Sequence, residues 1–383
     1  MIYLDAAATA NYSKKDDIIV DTIVDAMKRY WQNPSSLYAS DVRDVVDMCR
    51  RQVAKFINAK SEEICFTSSA SESNNMAIRG WVDKVLADGL GLPSVVTTKI
   101  EHKSVLGAVK NSNLGAHIRY CDVDETGVVC ISSLKKWLRL YACDKNPILV
   151  SIGMANNEIG TIQNIKEIAS VVHEFGGILH VDATQVLPYI PVDVEGLDID
   201  MMSCSGHKIS PVLKGIGFLY KKNGINIQPL IYGAQENGLR GGTENTFGII
   251  GLSKAIELCD VSQDRFRNLC SKKDYFVGLL EYRFDCKLNG SRVRLPNNIN
   301  VTFPQKITSE SLLYILDTSG IKISSGSACN SKSIEQSHVL KAIGLTDEQA
   351  MRTVRFTLSD NITYEDIDKV IEEVEKAIKL IEA

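Results

Sequence analysis

Two polar residues of this 383-residue chain follow predicted strands that are mainly apolar. Asp182 comes directly after the run 177–181, and Lys208 follows the run 199–203. Partial desolvation at such a place lowers the pKa of a lysine and makes its amine nucleophilic, as a Schiff-base lysine requires. A carboxylate at the tip of a buried strand needs a partner, because an unpaired buried charge is costly. Taken singly, each residue also has a simpler explanation. Asp182 could belong to an internal salt bridge, and Lys208 could extend its amine into solvent.

Residues 67–74 join a predicted strand to a predicted helix and are rich in small hydroxyl side chains. Amide groups at a helix start, helped by the helix dipole, form an anion site. For this loop alone, a plain helix cap is the better explanation. Together with Asp182 and Lys208, however, the loop suits pyridoxal phosphate. The loop would bind the phosphate, the aspartate would keep the pyridine nitrogen protonated, and the lysine would hold the aldehyde as an imine.

Cys329 lies among serine, glycine, alanine and asparagine residues in the segment 324–331. Such small neighbours predict an exposed and mobile thiol, which suits a reactive cysteine. An incidental cysteine in a serine-rich loop is the alternative. None of the chain's ten cysteines forms a C-x-x-C pair, so neither a zinc site nor a thioredoxin-like motif is predicted.

The composition is that of an ordinary globular protein, with 44% hydrophobic and 23% charged residues. The 43 basic and 47 acidic residues leave a net charge of −4, which does not favour a nucleic-acid partner. The first residues lack the basic-then-apolar pattern of a signal peptide. No run of about 18 apolar residues could cross a membrane. We therefore expect a soluble, cytoplasmic protein.

Short apolar runs alternate with helical stretches between residues 64 and 220, which predicts a mainly parallel sheet covered by helices on both faces. Ligands of such α/β sheets bind beyond the carboxyl ends of the strands, where His102 and Asn157 also fall. Alone, each of these two is a weak indicator. Past residue 250 the pattern favours a smaller α+β unit. We predict a large domain over 15–250 and a small domain made of 1–14 and 251–383.

Several motifs in this order resemble those of the group I cysteine desulfurases (NifS/IscS-like), members of the class V aminotransferase superfamily with the fold-type I architecture. The resemblance runs nearly end to end. It rests on the segments 3–5, 33–36, 101–103, 156–160, 180–185, 205–208, 241–245, 324–329 and 355–356. It implies a large domain with a mainly parallel seven-stranded sheet, a smaller α+β domain, a homodimer, and pyridoxal phosphate as cofactor.

The resemblance also implies roles for matching residues. Lys208 would hold the cofactor and move the Cα proton, His102 would stack on the pyridine ring, and Asp182 would pair with its nitrogen. Contacts to the ring hydroxyl and to the phosphate would come from Asn157, Gln185, Ala70, Ser71, Ser205, His207 and, from a second subunit, Thr243. Arg355 would grip the substrate carboxylate as a bidentate fork, with Asn33 nearby.

The implied reaction converts L-cysteine to L-alanine and leaves the sulfur as a persulfide on Cys329. A mobile cysteine loop would then carry the sulfur to an acceptor protein. The acceptor stays open between an iron–sulfur scaffold, a tRNA- or cofactor-thiolating enzyme and a dedicated partner.

Three other functions are weaker interpretations. Residues 205–208 and 359–361 match S-x-x-K and S-D-N of penicillin-recognising serine hydrolases, but no K-[ST]-G follows. A degenerate, non-catalytic scaffold is disfavoured because every residue that the chemistry needs is present. A selenocysteine lyase would share the lysine, aspartate and arginine, whereas the segment 324–329 favours sulfur.

Overall fold

A computed structural model describes residues 1–112, 117–305, 307–325 and 336–382. The chain folds around one large sheet and two small ones. Its strands are β1 (Ile2–Tyr3), β2 (Ile64–Thr67), β3 (Ser94–Thr98), β4 (His117–Cys121), β5 (Ile148–Gly153), β6 (Ile178–Asp182), β7 (Met201–Ser205), β8 (Gly217–Lys221), β9 (Lys287–Leu288), β10 (Asn298–Thr302), β11 (Ile321–Lys322), β12 (Ser324–Ser325) and β13 (Thr353–Thr357).

The large sheet has seven strands in the order β2-β8-β7-β6-β5-β3-β4. Strands β4, β3, β5, β6 and β7 are parallel neighbours, whereas β8 runs against both β7 and β2. This arrangement confirms the predicted α/β fold with a mainly parallel sheet. The carboxyl ends of β5, β6 and β7 share one edge, because Gly153 pairs with Asp182 and Asp182 pairs with Ser203.

Helices cover this sheet and also pack in the C-terminal part of the chain. They are α1 (Lys14–Arg29), α2 (Ser40–Phe56), α3 (Ala70–Asn75), α4 (Trp81–Ala87), α5 (Lys103–Lys110), α6 (Ile131–Cys143), α7 (Ile165–Glu174), α8 (Thr246–Glu257), α9 (Gln263–Phe284), α10 (Ser309–Thr318), α11 (His338–Ala342), α12 (Asp347–Met351) and α13 (Tyr364–Glu382). No helix among the described residues is long and apolar enough to cross a bilayer.

Both faces of the large sheet are covered, which explains why most residues of its central strands β5, β6 and β7 are buried. One face packs against apolar side chains of α1, α2, α6, α7 and α8. The other packs against α4, α5 and the π-helical turn Met76–Gly80 that joins α3 to α4. Such π turns occur frequently at functional sites, and this one lies beside the predicted phosphate loop.

A second core lies in the C-terminal part of the chain. The four-stranded sheet β12-β13-β10-β9 and the parallel pair β1-β11 pack against α9, α10 and α13. Leu4, from the N-terminal segment, is fully buried in this core. Phe276 of α9 and Phe356 of β13 meet there with ring centroids 5.0 Å apart. The division into the two predicted domains stays a prediction.

The structure moves some predicted boundaries. The strand predicted at 199–203 lies at Met201–Ser205, because a turn closed by Ile199 N–H and Val194 O comes first and places Asp198 at a φ of +57°. The loop predicted at 68–73 is shorter, because Ser69 caps α3 by accepting a hydrogen bond from Glu72 N–H. Strand β13, which carries Arg355, was not among the predicted strands.

Candidate active site

A cavity of about 400 Å³ lies beyond the carboxyl ends of β5, β6 and β7. It brings together most of the residues that the sequence analysis selected. Of those, Ala70, Ser71, His102, Asn157, Asp182, Gln185, Ser205, His207, Lys208 and Arg355 line it. The cavity forms where α/β sheets generally bind ligands.

Three selected residues are not among the described residues that line this cavity. Asn33 lies in an exposed turn, where its side-chain oxygen accepts a hydrogen bond of 2.9 Å from Ser35 N–H. Thr243 is exposed elsewhere on the surface of this chain. Cys329 lies outside the described residues. The roles of these three residues stay predictions.

The Lys208 amine sits at the end of a short turn that follows β7. Its Nζ donates hydrogen bonds to the backbone carbonyls of Ala7 and Ala8, the latter at 2.6 Å. Burial, reinforced by the positive charge of Arg355, lowers the pKa of Lys208 to about 8, whereas Asp5 and Asp182 act in the opposite direction. About a tenth of this amine is therefore uncharged at pH 7, and this fraction is able to act as a nucleophile.

The Asp182 carboxylate ends β6 and is held at both oxygens. Oδ1 accepts a hydrogen bond of 3.0 Å from Thr184 N–H, and Oδ2 accepts one of 2.8 Å from Asn74 Nδ2. Both donors are neutral, so this carboxylate is not neutralised by an internal salt bridge with either of them. Its negative charge is available to a cationic group that enters the cavity.

His102 caps the start of α5 with its ring. Its Nδ1 accepts a hydrogen bond of 3.1 Å from Ser104 N–H and lies 2.7 Å from Ser104 Oγ. The ring surface is open to the cavity, yet the surrounding protein lowers the pKa of His102, chiefly by burial. The charge of Lys208 lowers this pKa further, whereas the charge of Asp182 raises it. The ring is therefore mostly neutral at pH 7.

The predicted phosphate loop is held against the sheet by a glycine. A Cβ at Gly217 would lie 2.5 Å from the carbonyl oxygen of Cys204 and 2.9 Å from the carbonyl carbon of Ser69. Only glycine therefore allows β8 to approach this closely. The first amides of a helix have no partner within it. In α3, those of Glu72 and Ser73 donate to Ser69, so the amides left for a ligand are those of Ala70 and Ser71, which line the cavity.

His207 and Ser205 line the same cavity as Ser71. Burial lowers the pKa of His207 to about 4, so its ring is neutral at pH 7. The ring Nδ1 lies 3.1 Å from Thr9 Oγ1. Neutral hydrogen-bonding groups next to a helix start suit a bound phosphate, because they add donors without needing a countercharge.

The Arg355 guanidinium enters the cavity from β13 and has a side chain only 8% exposed. One Nη donates to Asp5 Oδ1 at 2.6 Å and the other to the Asn157 carbonyl at 3.1 Å. Its Nε is buried and has no hydrogen-bond partner in the part of the chain that the structure describes. A carboxylate ligand would supply acceptors for this partly unsatisfied fork.

Sequence reasoning assigned no role to Glu101 or Asn74, although both lay in segments it had selected. Glu101 is buried at the wall of the cavity and accepts hydrogen bonds from Thr98 Oγ1 at 2.6 Å and Gly153 N–H at 2.7 Å. Burial raises the pKa of Glu101 to about 7. Its place directly before His102 was the available signal, but its burial could be known only from the folded chain.

Known proteins resemble this chain over nearly its whole length. The family model described as Aminotransferase class-V matches residues 2–370. A protein named Cysteine desulfurase IscS from Dictyoglomus turgidum is 42% identical, covering 99% of this chain and 94% of its own length. One of the same name from Methanosarcina thermophila is 39% identical, covering 99% and 92%.

Solved structures agree with this relationship. A NifS-like protein superposes with a TM-score of 0.88 at 30% identity, covering 99% of both chains. A structure described as SspA in complex with cysteine has a TM-score of 0.80 at 31% identity, covering 95% of this chain and all of that one.

The fold and the family match together define this protein's class: the chain belongs to the aminotransferase class-V family. Within that family it belongs to the NifS/IscS-like cysteine desulfurases. The predicted family, fold class and enzyme class are confirmed.

Proposed function

We propose that this protein is a pyridoxal-phosphate-dependent cysteine desulfurase. It converts L-cysteine to L-alanine, retains the sulfur as a persulfide on Cys329, and passes it to an acceptor protein for iron–sulfur cluster assembly or for tRNA or cofactor thiolation. The observation that carries the proposal is the meeting of Lys208, Asp182 and His102 in one cavity at the carboxyl edge of the sheet.

The cavity residues fit pyridoxal phosphate. One space of about 400 Å³ is surrounded by an amine with a lowered pKa, by a helix start and by the Asp182 carboxylate, to which no cation is bonded among the described residues. Thr184 Oγ1, on a lining residue, is buried and has no hydrogen-bond partner among the described residues. Ala70, Ser71, Ser205 and His207 would hold the phosphate, and Asn157 and Gln185 the ring hydroxyl. When bound, the cofactor supplies a sink for the electrons released at the substrate Cα.

The protein's own groups then move protons. Asp182 would favour a protonated pyridine nitrogen, because a carboxylate favours the cationic form of a neighbouring base. Lys208 Nζ would remove the proton from the substrate Cα. His102 would supply an imidazole that stacks on the ring and shuttles protons.

The pKa of Lys208 predicts how cofactor loading depends on pH. Only the uncharged amine attacks an aldehyde, so loading of the cofactor-free protein is expected to rise about tenfold per pH unit below pH 8 and to level off above it. With a lysine of ordinary pKa, the loading rate would continue to rise up to about pH 10.4. Stopped-flow absorbance after mixing with pyridoxal phosphate measures the rate, and a steep rise persisting beyond pH 9.5 would contradict the expectation.

Arg355 is proposed to bind the substrate carboxylate, with Asn33 nearby. Arg355→Lys keeps the charge but loses the planar fork. A charge-assisted hydrogen bond contributes about 1.5–3 kcal/mol, so we expect KM for L-cysteine to rise roughly tenfold or more, with a smaller change in kcat. Arg352→Lys is the matched control, because Arg352 donates instead to Pro304 O outside the cavity. Equal effects of the two changes on KM would remove this role from Arg355.

The sulfur-transfer step is proposed for Cys329. Its thiolate Sγ forms a bond to the sulfur of the substrate while the substrate's carbon–sulfur bond breaks. The electron pair of that bond stays on the carbon, which gains a proton and becomes the methyl group of alanine. One L-cysteine and one enzyme thiol thus yield one alanine and one persulfide, without any external oxidant.

A homodimer is proposed as the functional state. Large apolar side chains on two neighbouring segments are strongly exposed in the single chain: Trp31 (70%), Leu37 (81%), Tyr38 (92%) and Tyr232 (78%). A contact of 3.4 Å between Gln235 Nε2 and Ser35 Oγ joins the two segments. Exposed apolar surface of this kind marks an interface. In such a dimer Thr243 would reach the phosphate site of the second subunit.

The large domain is proposed to cover 15–250, and the small domain 1–14 with 251–383. Lys208 and Asp182 then belong to the large domain, and Arg355 belongs to the small domain.

The decisive test of the function is the product balance. Cofactor-loaded protein is incubated with L-cysteine and a thiol reductant, and alanine and sulfide are measured together. We expect equal amounts of the two products. Pyruvate and ammonia in place of alanine, or no turnover at all, would reject the proposed reaction.

A further inference from the structure

Asn74 lies in the last turn of α3 and is fully buried. Its single Nδ2 group is 2.8 Å from Asp182 Oδ2 and 2.9 Å from Ser104 Oγ. An amide nitrogen carries two hydrogens, and each of these contacts uses one of them. One side chain therefore connects the carboxylate at the end of β6 to the start of α5.

The orientation of this amide is determined by its surroundings. In the opposite orientation, Asn74 Oδ1 would face the carboxylate of Asp182, and two acceptors would be in contact without a hydrogen. In the present orientation, Oδ1 is buried and has no hydrogen-bond partner among the described residues. An unmade buried hydrogen bond costs about 1–3 kcal/mol. The site tolerates this cost in order to direct both amide hydrogens toward Asp182 and Ser104.

The hydrogen bond from Asn74 to Ser104 determines where the Ser104 hydroxyl can donate. Because Ser104 Oγ accepts from Asn74, its own hydrogen is available for His102 Nδ1, which lies 2.7 Å away. Nδ1 also accepts from Ser104 N–H at 3.1 Å, so the neutral ring carries its proton on Nε2. The directed sequence of bonds runs from Asn74 through Ser104 to His102.

We propose that Asn74 is a positioning residue that holds the ring-nitrogen carboxylate and the stacking imidazole in fixed relation to each other. The inference rests on the proposed function, because it assumes that Asp182 and His102 both act on one cofactor. Asn74 itself does not line the cavity and is not proposed to touch substrate or cofactor.

The test compares Asn74→Ala and Ser104→Ala with Asn75→Ala. Asn75 is the matched control, because this neighbouring asparagine donates instead to the Ser71 carbonyl at 2.9 Å. Imidazole nitrogen resonances of ¹⁵N-histidine-labelled protein are titrated without cofactor, and His102→Gln assigns the signal among the six histidines. Asp182, Lys208, His338 and Lys103 also influence His102, and none of these is replaced in the variants.

Ser104→Ala removes the hydroxyl that donates to the neutral ring, and Asn74→Ala removes the donor that orients this hydroxyl toward the ring. The His102 titration midpoint is therefore expected to rise by about half to one pH unit in both variants. The double variant should shift no further than Ser104→Ala, because Asn74 reaches His102 only through Ser104. In the loaded enzyme, kcat of Asn74→Ala should fall about ten- to a hundredfold and more than that of Ser104→Ala, while KM for L-cysteine changes little. Asn75→Ala should match the wild type.

An unchanged midpoint or an unchanged kcat in Asn74→Ala would overturn the proposal. So would a double variant whose shift is the sum of the two single shifts. If Asn74→Ala does not fold, Ser104→Ala alone decides, because it removes only a hydroxyl and leaves the contact between Asn74 and Asp182. Failure of the proposed function is detected separately, as the absence of alanine formation by the wild type.

Discussion

Replacing Lys208 with alanine is expected to lower alanine formation from L-cysteine by at least about 10⁴-fold. The amine would be lost both as the group that holds the cofactor and as the base at Cα, and a positioned acid–base group alone contributes about 10²–10⁴-fold. Burial of this amine, which lowers its pKa to about 8, is what distinguishes it from the surface lysines. The measurement is alanine release under single-turnover conditions.

Lys222→Ala is the matched control, because Lys222 lies at the opposite edge of the sheet and pairs with Asp198 at 3.0 Å. It should keep full activity. Borohydride reduction followed by peptide mapping tests the covalent role directly, with the label expected on Lys208 alone. A label elsewhere, or activity in Lys208→Ala, would show that another amine carries the chemistry.

Replacing Cys329 with alanine is expected to lower sulfide release about a hundredfold or more, while the loaded protein keeps its visible absorbance. The substrate's carbon–sulfur bond needs a thiolate to receive the sulfur, and no other nucleophile is proposed for that step. Buried thiols are poor substitutes: burial and the charge of Asp182 raise the pKa of Cys204, and burial raises that of Cys121 to about 12.

Cys143→Ala is the control for this change, because Cys143 is exposed at the end of α6. It should release sulfide as the wild type does. Mass spectrometry after one turnover should find an added 32 Da on the peptide that contains Cys329, the mass of one sulfur atom. Wild-type sulfide release by Cys329→Ala would assign the transfer to a different thiol.

Much of the large sheet could be predicted from local pattern alone. Most of the runs that became the large sheet, such as β2, β5 and β8, are buried on both faces and contain few polar residues, whereas the edge strand β4 is only partly buried. Polar groups at those ends, such as Asp182 and Lys208, therefore stand out against apolar neighbours. The same reasoning found the cap of α13, where Thr363 Oγ1 accepts from Asp366 N–H at 3.0 Å.

The contacts that complete the cavity could not be predicted in this way, because they join residues far apart in the chain. Arg355 meets Asp5 across 350 positions, and the Lys208 amine meets the Ala7 carbonyl across 201. Neither pairing leaves a periodic signal, since each depends on how the N-terminal segment crosses the ends of the strands. The same is true of Asn74 and Asp182, which are 108 positions apart.

The sequence by itself determined the α/β class, the family, and most of the side chains that line the cavity. Periodicity and residue type report which face of an element is buried and which chemistry a side chain carries. Only the tertiary structure decided the state of those side chains: that Lys208 is desolvated, that burial lowers the pKa of His102, and that Asn74 connects Asp182 to the start of α5. These properties follow from burial and from hydrogen-bond partners, and both exist only once distant segments have packed together.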